Sequence, residues 1–260
     1  SGLPSTTSAV FHMGACSNTM AEDGRYVMKT NFDYSKKLLH ACADSSVPLI
    51  YASSAAVYGR GTSFAESEDH EYPLNAYAFS KQLFDSYVRK EVARISSQVV
   101  ALRYFNVYGP NEEHKGDMRS VVSKAFAQIQ GTGGMTLFRS HRPDYEDGKQ
   151  QRDFLYVKDA TRMTLFLAEN DQANGLFNLG CAEARTWLDL AHAIFVALDR
   201  DPTITFVDMP KAIRDKYQYH TQADVSKLRA AGYRDALFNL EEAVCDYVRN
   251  YLLPDKRLGE

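Results

Sequence analysis

Several things are scarce in this 260-residue sequence, and each scarcity excludes a class of function. Its four cysteines, Cys16, Cys42, Cys181 and Cys245, are scattered with no Cys-x-x-Cys pair, which predicts reduced thiols rather than a disulfide framework or a zinc site. The seven histidines have no metal-ligand spacing, so no metal is expected. There is no basic excess. A net charge of −3 and a pI near 6.2 argue against nucleic acid or an anionic membrane as the main partner. No apolar run approaches the length of a membrane span and no signal peptide with a basic start is visible, so the expected location is cytoplasmic. One motif is also missing. No Gly-rich turn joins a first strand to a helix, and "GTGG" at Gly131–Gly134 follows a helix rather than a strand.

What is present is an alternation of short apolar strands and amphipathic helices, the pattern of a parallel sheet with crossover helices. "AVFHMGA" predicts a strand, "NFDYSKKLLHACADS" a helix opened by Asn31, "VPLIYASS" a strand, the segment from Asn75 a helix, and "QVVALRYFNVYGP" a strand. Ligands in open α/β sheets bind at the carboxyl ends of strands. Gly14–Ser17, Ser53–Tyr58 and Asn106–Pro110 are therefore expected to line one crevice. Beyond Pro110 the order loosens. A helix through "VVSKAFAQIQ" leads to "GGMTLFRSHRPDYEDGKQQ", which is long and irregular. A strand, helix and strand over "RDFLYVKDATRMTLFLAEN" and "GLFNLG" come next, and the remainder is mainly helical, with one strand near "TITFVDM". The expected fold is α/β: an incomplete Rossmann-like parallel sheet with a smaller C-terminal mixed α/β lobe. Residues 1–110, with return segments near 151–180, would form the dinucleotide-binding part, and 111–260 mainly the substrate-binding lobe.

Two Tyr-x-x-x-Lys pairs occur, against about one expected by chance from 16 tyrosines and 13 lysines. Tyr145 and Lys149 sit among Pro143 and Gly148, where a loop is expected. Tyr77 and Lys81 differ. Leu83, Phe84, Tyr87, Val88, Val92 and Ile95 continue at helical spacing after them and Asn75 can cap the start, so the two side chains should lie one turn apart on one face.

The ordered set "YASSAAVYG", "YAFSK", "RYFNVYGP" and "RDFLYVKD" resembles the extended short-chain dehydrogenase/reductase superfamily. "FHMGACS", "HKG", "LFRSH…RDF" and "KYQYHTQADVSKLRAAGY" make the chain most similar to the ADP-heptose 6-epimerases within it. This resemblance implies a cytoplasmic isomerase of lipopolysaccharide core precursor synthesis that inverts C6 of ADP-heptose by transient oxidation. NADP is the implied cofactor, with NAD possible, and a homo-oligomer the implied assembly. It also implies roughly 60 to 70 further residues ahead of Ser1, at ~30 residues per βαβ unit.

By resemblance, Tyr77 exchanges the hydroxyl proton, Lys81 lowers the tyrosine's proton affinity and holds the nicotinamide ribose, and Ser54 donates to the substrate oxygen. Lys115 in "HKG" is the second acid/base group, which a closed cleft would desolvate. Gly14, Ala15, Cys16, Ser17, Asn31, Val107 and Lys115 fall at cofactor contacts. Asn106, Asp117, Lys124, Phe138, Arg139, Ser140, His141, Arg152 and Tyr217 fall at substrate contacts, with Arg152 suited to a diphosphate. Asp117 stands where a small hydroxyl residue is expected, Lys124 where a histidine is, and "RPDYEDGKQQ" lengthens the loop. Another nucleotide-sugar epimerase or dehydratase, and a non-catalytic truncated homologue, remain open alternatives at this point.

Overall fold

The computed structural model describes residues 2–19, 21, 23–215 and 217–259; Lys216, which heads the "KYQ" segment, lies outside them. The chain divides into two compact units.

The first unit holds residues up to Phe105, Arg162–Leu179 and Ala223–Arg234. Its centre is a four-stranded parallel sheet in which β1 (Val10–His12), β2 (Leu49–Ser54), β3 (Val99–Tyr104) and the strand Gly175–Leu179 lie side by side in that order. β2 and β3 are apolar on both faces because they lie inside the sheet with helices over it. Leu49, Tyr51, Val99 and Ala101 pack with Leu39, Cys42, Phe84 and Val88 in one core. In register, Leu49 faces Val99 and Ser54 faces Tyr104, while β1 ends at His12 opposite Tyr51. The C-terminal end of β2, carrying Ser53 and Ser54, therefore runs past the end of β1.

Helix α1 (Gly24–Met28) starts under an Asp23 cap and runs through a π-helical turn, Lys29–Asp33, into α2 (Tyr34–Asp44). Asn31 thus lies inside a helical run instead of opening one, as the sequence pattern predicts. The cap on Asp23 Oδ1 supplies a start two turns earlier. Helix α3 (Ala76–Glu91) begins where expected, and Asn75 accepts a hydrogen bond from the Ala78 N–H at 2.8 Å. Asn75→Ala is expected to lower stability by about 1 kcal/mol, read as a shift in the denaturant midpoint at unchanged slope. The turn after β2 needs its glycine. Gly59 has φ +48°, and a Cβ there would meet the Tyr72 carbonyl oxygen at 1.6 Å.

The second unit holds Asn106–Thr161, Gly180–Gln222 and the chain from Asp235 onward. Helices Val121–Thr132, Trp187–Ala197 and Leu240–Tyr247 pack around Ile129, Ile194, Phe195, Val244 and Tyr247. Met135–Phe138 pairs in parallel with Ile204–Val207, so part of the segment predicted to be irregular is a strand. Gln151–Asp153 pairs antiparallel with Ala184–Thr186. Tyr145 and Lys149 do lie in turns. Among the described residues no helix is long and apolar enough to cross a membrane, and no cluster of three His, Cys, Asp or Glu side chains could hold a metal. All four cysteines are free.

Candidate active site

Sequence-predicted groups from β1, β2 and α3 meet at the C-terminal edge of the sheet in the first unit. Ser54 ends β2, and its Oγ caps the short 3-10 turn that follows by accepting from Ala56 N–H at 3.1 Å. Tyr77, near the start of α3, is within the influence of the Ser54 hydroxyl, which acts to lower its proton affinity. Lys81, one turn further along α3, is buried, donates to the Ala52 carbonyl at 2.7 Å and lies 6.0 Å from the Tyr77 ring centroid. The end of β2 and one face of α3 are therefore tied directly through Ala52 and Lys81.

Burial governs the proton affinities here. It pulls Lys81 down to about 8, against the opposing pull of the Asp85 carboxylate. It raises Tyr77 above its ordinary value, with the Ser54 hydroxyl acting in the lowering direction and the Asp85 charge adding to the rise. The expectation that Lys81 lowers the tyrosine is not met in this arrangement. Desolvation of the phenol dominates. At neutral pH Tyr77 is consequently a neutral phenol.

The turn after β1 is fixed from α1 and α2. Asn31 is buried; its Oδ1 accepts from Cys16 N–H at 2.8 Å, and its Nδ2 donates to Cys16 O at 3.0 Å and to Ser80 Oγ on α3 at 2.9 Å. Cys16 is thereby held beside α3. Ala15 is half-buried, while Gly14 and Ser17 are exposed, and a Cβ placed on Gly14 would meet nothing within 4 Å. His12, which the sequence reading passes over, bonds Ser35 Oγ at 2.8 Å and is held low by burial and by the Lys81 charge. An open backbone turn beside a buried ammonium with further N–H donors fits a dinucleotide carrying ribose hydroxyls.

The second unit carries the remaining candidates. Asn106 is exposed and Val107 pairs with Leu155. Lys115 is exposed in the turn Glu113–Met118, so its own unit does not supply the desolvation expected of it. Asp117 is exposed as well, and Lys124 Nζ donates to its carbonyl at 3.2 Å, which joins these two departures from the family pattern. Phe138 ends its strand; Arg139 N–H donates to Val207 O at 2.8 Å; Ser140 N–H donates to Asp147 Oδ1 at 2.8 Å; His141 Nδ1 bonds Tyr219 Oη at 2.8 Å.

Arg152 stands out among them. It is 6 % exposed, and its guanidinium lies 5.0 Å from the Tyr217 ring and 5.7 Å from Trp187, with Trp187 Nε1 donating to Tyr217 Oη at 2.8 Å. Among the described residues no carboxylate pairs with it, and burial lowers its proton affinity. A buried cation held by two aromatic faces without a carboxylate is costly for stability, and such a guanidinium is able to receive an anion. The sequence pointed to Arg152 and Tyr217 but not to Trp187. Its being the only tryptophan, at the start of a helix, was the available signal.

The profile of the NAD dependent epimerase/dehydratase family matches residues 4–180. The ADP-L-glycero-D-manno-heptose-6-epimerase of Nitratidesulfovibrio vulgaris strain Hildenborough is 48 % identical over 254 residues, covering 96 % of this chain and 78 % of that protein. The crystal structure of the Helicobacter pylori enzyme of the same name superposes with a TM-score of 0.80 at 29 % identity, over 94 % of this chain and 72 % of that one. Thermus thermophilus UDP-glucose 4-epimerase in complex with NAD gives 0.75 at 25 % identity, over 94 % and 78 %.

Proposed function

This chain belongs to the NAD dependent epimerase/dehydratase family and, within it, to the ADP-L-glycero-D-manno-heptose 6-epimerases, and from that premise we propose that its Tyr77, Lys81 and Ser54 invert C6 of ADP-D-glycero-D-manno-heptose. The observation that carries the chemistry is buried Lys81, bonded to the Ala52 carbonyl at 2.7 Å and 6.0 Å from the Tyr77 ring one turn away, beside Ser54 at the end of a parallel strand. A nicotinamide dinucleotide, when bound, supplies reversible hydride exchange at the carbinol carbon. Tyr77 Oη takes the hydroxyl proton as the phenolate, its minor form at neutral pH, when the carbinol is oxidised and returns it as the phenol when the carbonyl is reduced, and Ser54 Oγ holds the substrate oxygen as its charge changes. Lys81 keeps a positive charge beside both and offers its remaining N–H donors to ribose hydroxyls. Cys16, braced by Asn31, carries the backbone turn past the dinucleotide, with Gly14, Ala15 and Ser17.

The finer assignments belong to the same proposal. NADP is the cofactor form the resemblance supports, and Lys115 is the second acid/base group, with Asn106, Asp117, Lys124 and Phe138–His141 at the sugar nucleotide. Residues up to about Phe105 serve the dinucleotide and the second unit serves the substrate. Cytoplasmic location and homo-oligomeric assembly complete the reading, the latter testable by light scattering.

Arg152, with Tyr217 and Trp187, receives the substrate's diphosphate. Hydrogen bonds to a charged group contribute about 1.5–3 kcal/mol, so Arg152→Met is expected to raise KM by about 10- to 100-fold. Folding should be retained or improved, because the change removes a buried unpaired charge. Steady-state kinetics with a melting curve checks both.

Incubation of the protein with ADP-D-glycero-D-manno-heptose, followed by NMR of the heptose, tests the function. Accumulation of the L-glycero epimer is expected. A cofactor-saturated protein that leaves this sugar unchanged but interconverts a UDP-hexose would overturn it.

A further inference from the structure

Behind the Tyr77–Lys81 pair lies a buried charge cluster that neither the motif nor the resemblance accounts for. Asp85 follows Lys81 by one turn of α3, and its side chain is fully buried. Its Oδ1 accepts from Tyr51 Oη at 2.9 Å; its Oδ2 accepts from Ser53 Oγ at 2.7 Å and from Arg103 Nε and Nη2 at 3.1 and 2.9 Å. Arg103, also fully buried, is bonded in addition to Glu71, which pairs with Arg89. Tyr51 and Ser53 are both on β2. They flank Ala52, whose carbonyl takes the Lys81 ammonium, and Ser53 directly precedes Ser54.

We infer that Asp85 is a positioning residue of this site: its carboxylate locks the end of β2 onto α3 and supplies the counter-charge that keeps Lys81 an ammonium. The inference rests on the catalytic reading of Tyr77 and Lys81. The geometry explains why one carboxylate serves both purposes. A purely structural tie between strand and helix needs only hydroxyl contacts, whereas a buried carboxylate costs free energy unless charges answer it. Arg103, Arg89 and Lys81 carry three positive charges; Asp85 and Glu71 answer from inside the cluster, and the more exposed Glu68 pairs with Arg89 at its edge. Of the charged and titratable groups in this region, His12 from β1 and Tyr77 and Asp85 on α3 neighbour Lys81 itself, while Cys16 acts on Tyr77, and Tyr51 from β2 and Arg103 from β3 bond Asp85. Asp85 is the one among them that favours the ammonium. Burial, the larger influence, holds Lys81 near 8 rather than at the ordinary value for lysine.

Asp85→Asn preserves shape: its one amide oxygen can keep the Ser53 and Arg103 bonds, and its NH2 can donate to Tyr51 Oη in place of the bond lost there. The direct test follows the Lys81 Nζ and Cε NMR signals, assigned by their loss in Lys81→Met, against pH in wild type and Asp85→Asn. The midpoint is expected to fall by about one pH unit or more. The alkaline limb of kcat should move down with it, at a KM within about threefold of wild type, a pattern that a loss of structure alone would not produce. An unmoved Lys81 titration in folded Asp85→Asn protein overturns the inference. If that variant does not fold, Ser53→Ala decides: a kcat at least about fivefold lower at unchanged KM supports positioning through β2, and wild-type kcat overturns it. Because the Lys81 titration needs no turnover, a protein inactive on the heptose but with a shifted midpoint refutes the substrate reading and leaves the role of Asp85 intact.

Discussion

Tyr77→Phe is expected to lower kcat by about 10²- to 10⁴-fold, the range over which a positioned general acid/base contributes. The substitution removes one oxygen from a ring whose neighbours are otherwise kept: Asn75 still caps α3 and Lys81 still donates to Ala52 O. KM for the nucleotide sugar should change little, since the diphosphate is assigned to Arg152 in the second unit. A loss shared equally by kcat and kcat/KM would identify an interaction made in the transition state. The burial that raises the Tyr77 proton affinity sharpens the expectation. A phenol held protonated is available to return a proton to the substrate oxygen, and no other hydroxyl on this face of α3 can replace it, because Ser80 Oγ is engaged with Tyr77 O and Asn31. Single-turnover measurement with preloaded cofactor isolates the chemical step. A Tyr77→Phe protein turning over within threefold of wild type would remove the tyrosine from the mechanism and leave Ser54 and Lys81 to be tested in its place.

The parts legible in the sequence were those in which local chemistry and long-range packing agree. Asn75, Tyr77 and Lys81 were readable because a cap, a turn spacing and an apolar face all lie within one helix. The α/β parallel sheet was readable because β2 and β3 are continuous apolar runs. The strand Met135–Phe138 was missed, although Met135 and Leu137 point inward and Thr136 and Phe138 outward. Its partner, Ile204–Val207, is nearly seventy residues away, and a four-residue alternation beside glycines is weak without it. Asn31 was misplaced within its helix because the π-helical turn Lys29–Asp33 has no sequence signature of its own. Asp85 was passed over for a different reason. An acidic residue in an amphipathic helix is ordinarily read as solvent-facing, yet Tyr77, Lys81 and Asp85 fall at i, i+4 and i+8 on the inward stripe. A charge on an apolar stripe calls for a buried partner, and Arg103, in the middle of an otherwise apolar strand, was the other half of that signal.

Arg103→Met should destabilise the first unit by about 3–5 kcal/mol, the cost of breaking a buried ion pair from one side. Methionine fills most of the volume, so the loss is electrostatic. Asp85 and Glu71 would remain buried without the guanidinium they share, and the Tyr58 ring would lose the cation 5.0 Å from its centroid. The pH dependence gives the prediction a sign. Burial by itself raises Glu71, but its hydrogen bond and charge contact with Arg89 and those with Arg103 outweigh it, and the carboxyl is held below its ordinary range. A group depressed in the folded state contributes stability that is present above its unfolded value, about 4.3, and is lost as the pH falls through the lowered folded value. Without Arg103 the burial contribution is opposed by Arg89 alone, so the folded value rises and acid unfolding should begin at higher pH than in wild type. Urea titrations at pH 7 and pH 5 check both statements. The triple variant Arg103→Met, Asp85→Asn, Glu71→Gln should regain much of the stability, since no uncompensated charge stays buried. A single variant as stable as wild type, with its acid midpoint unmoved, would mean that Arg89 and the Tyr51 and Ser53 hydroxyls are enough to hold both carboxylates. In that case the buried pair does not determine the stability of the unit.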